Sequence, residues 1–106
     1  MSTDEVERDF RDNVNMTAKE LSDWLATDES KGVGQHDGGE SVGHRSGRRI
    51  VDLLRTKSAD LTDDDHAHMR KVVGYIHRHL AQRPSGDVRE TSWRYSLMNW
   101  GHDPVK

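Results

Sequence analysis

No cysteine occurs in the 106-residue chain, which excludes disulfide staples, thiolate catalysis and cysteine-based zinc sites together. Hydrophobic residues are scarce at 31%, fewer than the 33% that carry charge, so the chain lies near the lower edge of what offsets the conformational entropy lost on folding. Marginal stability or a partner chain is expected from that balance. No apolar run approaches membrane-spanning length, and the acidic start Met1-Ser-Thr-Asp-Glu-Val-Glu7 is the opposite of a secretory signal. A cytoplasmic protein without membrane contact is the expectation. Also missing are a Ser-His-Asp order, a pair of carboxylates suited to acid–base work and a glycine fingerprint for nucleotides. The chain is therefore expected to be no enzyme, with no cofactor and no evident small-molecule substrate.

A chain of this length holds one domain around one core, so residues 1–106 are read as a single helical unit. Its net charge of −3 is unevenly spread. Residues 1–31 hold nine acids against four bases, whereas Arg45, Arg48, Arg49, Arg55 and Lys57 face only Asp52 between residues 43 and 57. An acidic arm on a mildly basic body can touch polyanions locally without strong long-range steering.

Helix starts are legible because a Ser or Thr oxygen accepts first-turn amides while an acid three residues on reaches back. Ser2-Thr-Asp-Glu5 fits, followed by Val6, Phe10 and Val14 at helical spacing, and Thr17-Ala-Lys-Glu20 fits better, with Met16 and Leu21 placed as a hydrophobic staple. Helices over 3–13 and 18–27 follow. Ser46 is read as the cap of a third helix to about residue 57, carrying Ile50, Val51, Leu53 and Leu54 on its apolar side. Thr62 caps the longest, with Asp63, Asp64 and Asp65 complementing the positive end of the helix dipole and Pro84 and Gly86 stopping it. Met69, Val72, Val73, Ile76 and Leu80 form its core face. A last helix runs from Trp93 to Asn99, and strand-type alternation is absent throughout.

Between the second and third helices, residues 28–46 are glycine-rich, with Val33 and Val42 as their only aliphatic side chains. Such a stretch has little to pack and much entropy to lose, and predicts a long flexible loop. At its end, Gly43-His-Arg-Ser-Gly-Arg-Arg49 combines arginine forks, permissive glycines and the free amides of a helix start, a combination suited to an anion. The lysine and spacing of a nucleotide P-loop are missing, so a phosphate on a polymer is the expected ligand. Lys71 and Arg78, seven residues apart around Gly74, add a basic stripe on the outer face of the longest helix.

Histidines at His66-Ala-His68 and His77-Arg-His79 invite a metal reading that helical geometry opposes, because i and i+2 diverge by about 160° and i and i+11 stand about 16 Å apart. His36, Asp37 and His44 are a weak second metal candidate, and no metal is expected. Trp24, Trp93, Tyr95 and Trp100 are read chiefly as core and docking residues.

The segments Gly47-Arg-Arg-Ile-Val-Asp-Leu-Leu54, Asp60-Leu-Thr-Asp-Asp-Asp65, Met69-Arg-Lys-Val-Val-Gly-Tyr-Ile-His-Arg-His-Leu-Ala-Gln-Arg-Pro84 and Ser92-Trp-Arg-Tyr-Ser-Leu-Met-Asn-Trp-Gly-His-Asp-Pro104 resemble a prokaryotic family known as domain-of-unknown-function family 3140. Val14-Asn-Met-Thr-Ala-Lys-Glu-Leu-Ser-Asp-Trp-Leu25 looks like that family's N-terminal helix. The resemblance covers nearly the whole chain outside the glycine-rich stretch, and it implies DNA binding, a label some members carry.

The expectation is an all-α fold of four to five helices, in which the helices over 47–57 and 62–83 form a helix-turn-helix-like pair with the Trp-rich tail docked on the longest helix. Its expected function is non-enzymatic binding of DNA phosphates through Arg45, Arg48, Arg49, Lys71 and Arg78. The alternative is a protein-interaction adaptor or a small homo-oligomer, a homodimer for instance, whose partner is met by Trp93, Arg94, Trp100 and His102.

Overall fold

Six α-helices and one 3-10 turn, with no strand among the described residues, surround a single apolar core. The structure is a computed structural model describing residues 2–34 and 39–106. Helix α1 (Thr3–Asn13) starts where Ser2 Oγ accepts from Glu5 N, and it buries Val6 and Phe10 against the longest helix. Helix α2 (Ala18–Leu25) opens with a complete capping box, Thr17 accepting from the Glu20 amide while the Glu20 carboxylate accepts from the Thr17 amide. Met16, Leu21 and Leu25 then enter the core. Such burial is worth about 1.5–3 kcal/mol for each large apolar side chain.

Two corrections fall in the glycine-rich segment. Asp28–Gly32 is a short helix, α3, capped by Thr27, and its Ser30 is fully buried. Helix α4 (Val42–Leu54) begins at a Ser41 cap, not at Ser46, which lies inside the helix and is buried. With Val33 and Ser41 also buried, much of the segment read as a loop over 28–46 is packed structure. The physical reason is close approach: a Cβ on Gly47 would stand 2.5 Å from the Asn99 carbonyl oxygen and 2.7 Å from Leu25 Cδ2. These glycines let backbones meet, where composition suggested freedom. Gly38, His36 and Asp37 lie outside the described residues, and so does the metal reading that used the last two.

A 3-10 turn (Ser58–Asp60) leads to α5 (Asp63–Leu80), whose Thr62–Asp65 capping box is complete and whose Met69, Val72 and Ile76 are buried. Helix α6 (Ser92–Asn99), capped by Thr91, inserts Leu97 and leads into Trp100, both buried. Helix α4 packs chiefly on α2 and α5 chiefly on α1, while α6 touches α2, α3, α4 and α5.

The tail then folds back over the link between α1 and α2. His102 Nδ1 donates to the Asn13 carbonyl (2.7 Å), Asp103 N donates to Asn15 Oδ1 (2.8 Å), and Asn15 Nδ2 returns a bond to the Asp103 carbonyl (2.9 Å). Gly101 makes the reversal at φ +85°, a left-handed backbone that its lack of a side chain permits. The radius of gyration, 13.4 Å, is close to the ~13 Å expected for a compact chain of this size. Among the described residues, no helix is long and apolar enough to cross a membrane.

Candidate functional site

One run of aromatic rings sets the site. The rings of His68, Trp100, Tyr75, His79 and Trp93 follow one another at centroid spacings of 6.4, 4.2, 5.2 and 6.2 Å with interplanar angles of 14–17°. This column welds α5 to α6 and the turn after it. Reciprocal bonds lock its far end, Trp93 Nε1 donating to the His79 carbonyl (2.6 Å) and His79 Nε2 to the Trp93 carbonyl (3.2 Å). At its near end, His68 Nε2 is bonded to Ser46 Oγ of α4 (3.0 Å). Burial first, and then the nearby Arg49 and Lys71 charges, push the His68 pKa down to about 4, so the ring is neutral at pH 7.

A cleft of about 440 Å³ opens beside this column, lined by Val42 and Gly43 of α4, Lys71, Tyr75 and Arg78 of α5, and Trp100. Gly34, Ser96 and Asn99 also line it, and no carboxylate does so among the described residues. Other hollows differ: one beside α1 holds Asp4, Glu7 and Asp12, and one beside α6 holds Asp87 and Glu90. Among the described residues, neither Lys71 nor Arg78 has a carboxylate within salt-bridge range, in a chain whose net charge is −3.

The five cations expected from sequence thus divide. Lys71 and Arg78 share the cleft. Arg48 is held by Glu40 in a two-pronged pair, Nε at 2.7 Å and Nη2 at 2.6 Å, and Glu40, which His44 also bonds, has its pKa lowered to about 2, by Arg48 first and His44 second. Arg45 lies 3.9 Å from the same carboxylate with an exposed side chain. Arg49 touches Asp65 at 3.3 Å yet stays close enough to His68, beside Lys71, to influence its proton. Because α4 starts at Val42, Arg48 and Arg49 stand in its second turn and are not the helix-start cradle read from sequence. Glu40 is the residue that sequence reasoning missed; its place two residues before the Ser41-capped helix was the available signal, hidden when the helix start was set at Ser46.

The residues expected to meet a partner are engaged within the chain. Trp93 and Trp100 are buried, Arg94 pairs with Asp103 through two bonds of 3.1 Å, and His102 holds the Asn13 carbonyl. The paired histidines of α5 disperse likewise, His66 Nε2 bonding Glu7 (3.0 Å) and His77 Nε2 bonding Asn13 Oδ1 (3.0 Å). No group of three or more metal-ligating side chains occurs among the described residues.

Residues 9–98 match the model of a family described as protein of unknown function, DUF3140. No curated protein and no solved structure matches the chain.

Proposed function

The chain belongs to the DUF3140 family, and we propose that it is a non-enzymatic DNA-binding protein whose phosphate contacts centre on Lys71 and Arg78. What carries the reading is the cleft: among the described residues, two cations without carboxylate partners line a concavity to which no carboxylate contributes, in an otherwise acidic molecule. Unpaired surface cations are attractive for a polyanion because phosphates displace only water and counterions from them. Arg48 must first leave a two-pronged carboxylate, so it belongs to the scaffold and drops out of the contact set. Arg45 and Arg49 extend the basic row from α4, weakly paired and exposed enough to turn toward a strand.

In this reading α4 and α5 act as a helix-turn-helix-like pair. The Ser46–His68 and Arg49–Asp65 bonds tie the two helices, and the outer face of α5 is presented to the duplex. With DNA as its partner, the protein is proposed to act in the cytoplasm.

Titration of duplex DNA at two salt concentrations tests the proposal. Neutralising two or three phosphates lowers affinity about 10- to 40-fold between 50 and 200 mM salt. Lys71→Ala and Arg78→Ala each weaken binding and flatten that slope, and Arg48→Ala does neither. Binding that ignores salt, or survives both α5 substitutions unchanged, overturns it.

A further inference from the structure

Resting on the reading of Lys71 and Arg78 as phosphate contacts, we infer that the cleft is a site for a terminal phosphate monoester, with the Trp100 indole N–H as a third donor. Both faces of the Trp100 ring are covered, by His68 and by Tyr75, so only its edge is free to meet a ligand. That edge is directed at Gly43: a Cβ built there would stand 3.1 Å from Trp100 Nε1. Trp100 is only 4% exposed and lines the cleft, yet among the described residues nothing accepts from its Nε1. The other two indoles are bonded, Trp24 Nε1 to Asn99 Oδ1 at 2.8 Å and Trp93 Nε1 to the His79 carbonyl at 2.6 Å.

The little of Trp100 that is exposed lines the cleft, so its N–H, without a protein acceptor among the described residues, is left to water or to a ligand held there. Beside it, Ser41 Oγ caps the His44 amide, while Val42 and Gly43, whose amides have no acceptor within their own helix, line the same wall. The Trp100 indole, the Val42 and Gly43 amides and the Lys71 and Arg78 side chains supply donors and positive charge. Their number and their three-sided arrangement suit a dianion with three terminal oxygens better than a diester with two, which runs past on a chain. The volume, about 440 Å³, exceeds a lone phosphate and falls in the range of small-ligand sites, leaving room for the nucleoside that carries the ester. The same chemistry is supplied by the 5′-phosphorylated end of a DNA strand and by a free nucleoside 5′-monophosphate.

Two-dimensional NMR of the three indole N–H groups in the full chain tests this. A 5′-phosphorylated oligonucleotide is expected to move the Trp100 resonance saturably while those of Trp24 and Trp93 stay in place, and the same strand ending in a 5′-hydroxyl is expected to leave all three unmoved. Adenosine 5′-monophosphate then separates the sources: binding at least tenfold weaker than the phosphorylated strand assigns the site to DNA ends, and equal binding assigns it to the free ester. Gly43→Ala, which helix geometry tolerates, puts a methyl against Nε1 and should weaken either phosphorylated ligand at least tenfold.

The inference is overturned if Trp100 is silent with every phosphorylated ligand, or if the 5′-hydroxyl strand moves it equally. Should salt-sensitive duplex binding persist in that case, the DNA reading survives alone. If the phosphorylated ligands move Trp100 but no duplex binds, the terminal-phosphate site stands and the DNA reading falls.

Discussion

Gly47 and Asn99 touch backbone to backbone: the Gly47 Cα passes so near the Asn99 carbonyl that a methyl group would come within 2.5 Å of its oxygen. Neither the carbonyl, fixed at the end of α6, nor the surrounding core can yield cheaply. Gly47→Ala therefore destabilises the fold by about 1–3 kcal/mol through overpacking, although alanine is the better helix former. Urea unfolding checks it; a midpoint equal to or above the wild type would show that α4 and α6 are farther apart than described.

The Asn99 side chain is a buried junction. It accepts from Trp24 Nε1 (2.8 Å) and Ser30 Oγ (2.5 Å) and donates to the Ser30 carbonyl (3.1 Å), joining α2, α3 and α6. Asn99→Leu keeps the size and strands these polar groups, so a loss of about 2–3 kcal/mol is expected. The Trp24 indole N–H should exchange with solvent faster in the variant, which hydrogen exchange reads directly.

His68 gives the fold a pH dependence. Unfolded, its imidazole takes a proton near pH 6.5; folded, burial chiefly, with Arg49 and Lys71 adding to it, delays that until about pH 4. Between these values the unfolded chain binds the extra proton, so the contribution of His68 is fully present above about pH 6.5 and is lost as the pH falls toward 4. Comparing urea midpoints at pH 7 and pH 5 should show a smaller drop in His68→Gln than in the wild type. Equal drops would mean that other groups set the dependence.

Glu7 acts in the same direction at lower pH. Ser58 Oγ (2.5 Å) and then His66 Nε2 (3.0 Å) bond its buried carboxylate and hold its pKa below the usual value of 4.5. The stability this contributes is present above that value and lost as the pH falls through the lowered one. Glu7→Gln should flatten acid unfolding in this range, as followed by circular dichroism.

Charge removal and charge reversal separate scaffold from contact. Glu40→Gln frees Arg48 and Arg45, and is expected to strengthen DNA binding several-fold, while Lys71→Glu reduces it at least tenfold. Filter binding at fixed salt checks both, and a Glu40→Gln protein that binds no better would place those arginines outside the interface.

The sequence by itself determined where most helices begin. A Thr or Ser cap with an acid three residues later is a local device, complete within four residues at Thr17–Glu20 and Thr62–Asp65, and the apolar spacing of Val6 with Phe10 or Met69 with Val72 and Ile76 marks the buried face without reference to anything distant. Tertiary structure alone decided the start of α4, the packing of Ser30 and Ser41, and which cations are paired. Gly43 and Gly47 look like freedom along the chain, and only the approach of Trp100, Asn99 and Leu25 turns them into contact points inside a helix. Likewise the sequence shows five similar cations, whereas their pairing depends on carboxylates that folding brings near: Glu40 neutralises Arg48, and among the described residues nothing comparable reaches Lys71 or Arg78 in the cleft. Capping is short-range and readable from neighbours; close packing and charge pairing are long-range and exist only after the chain has closed on itself.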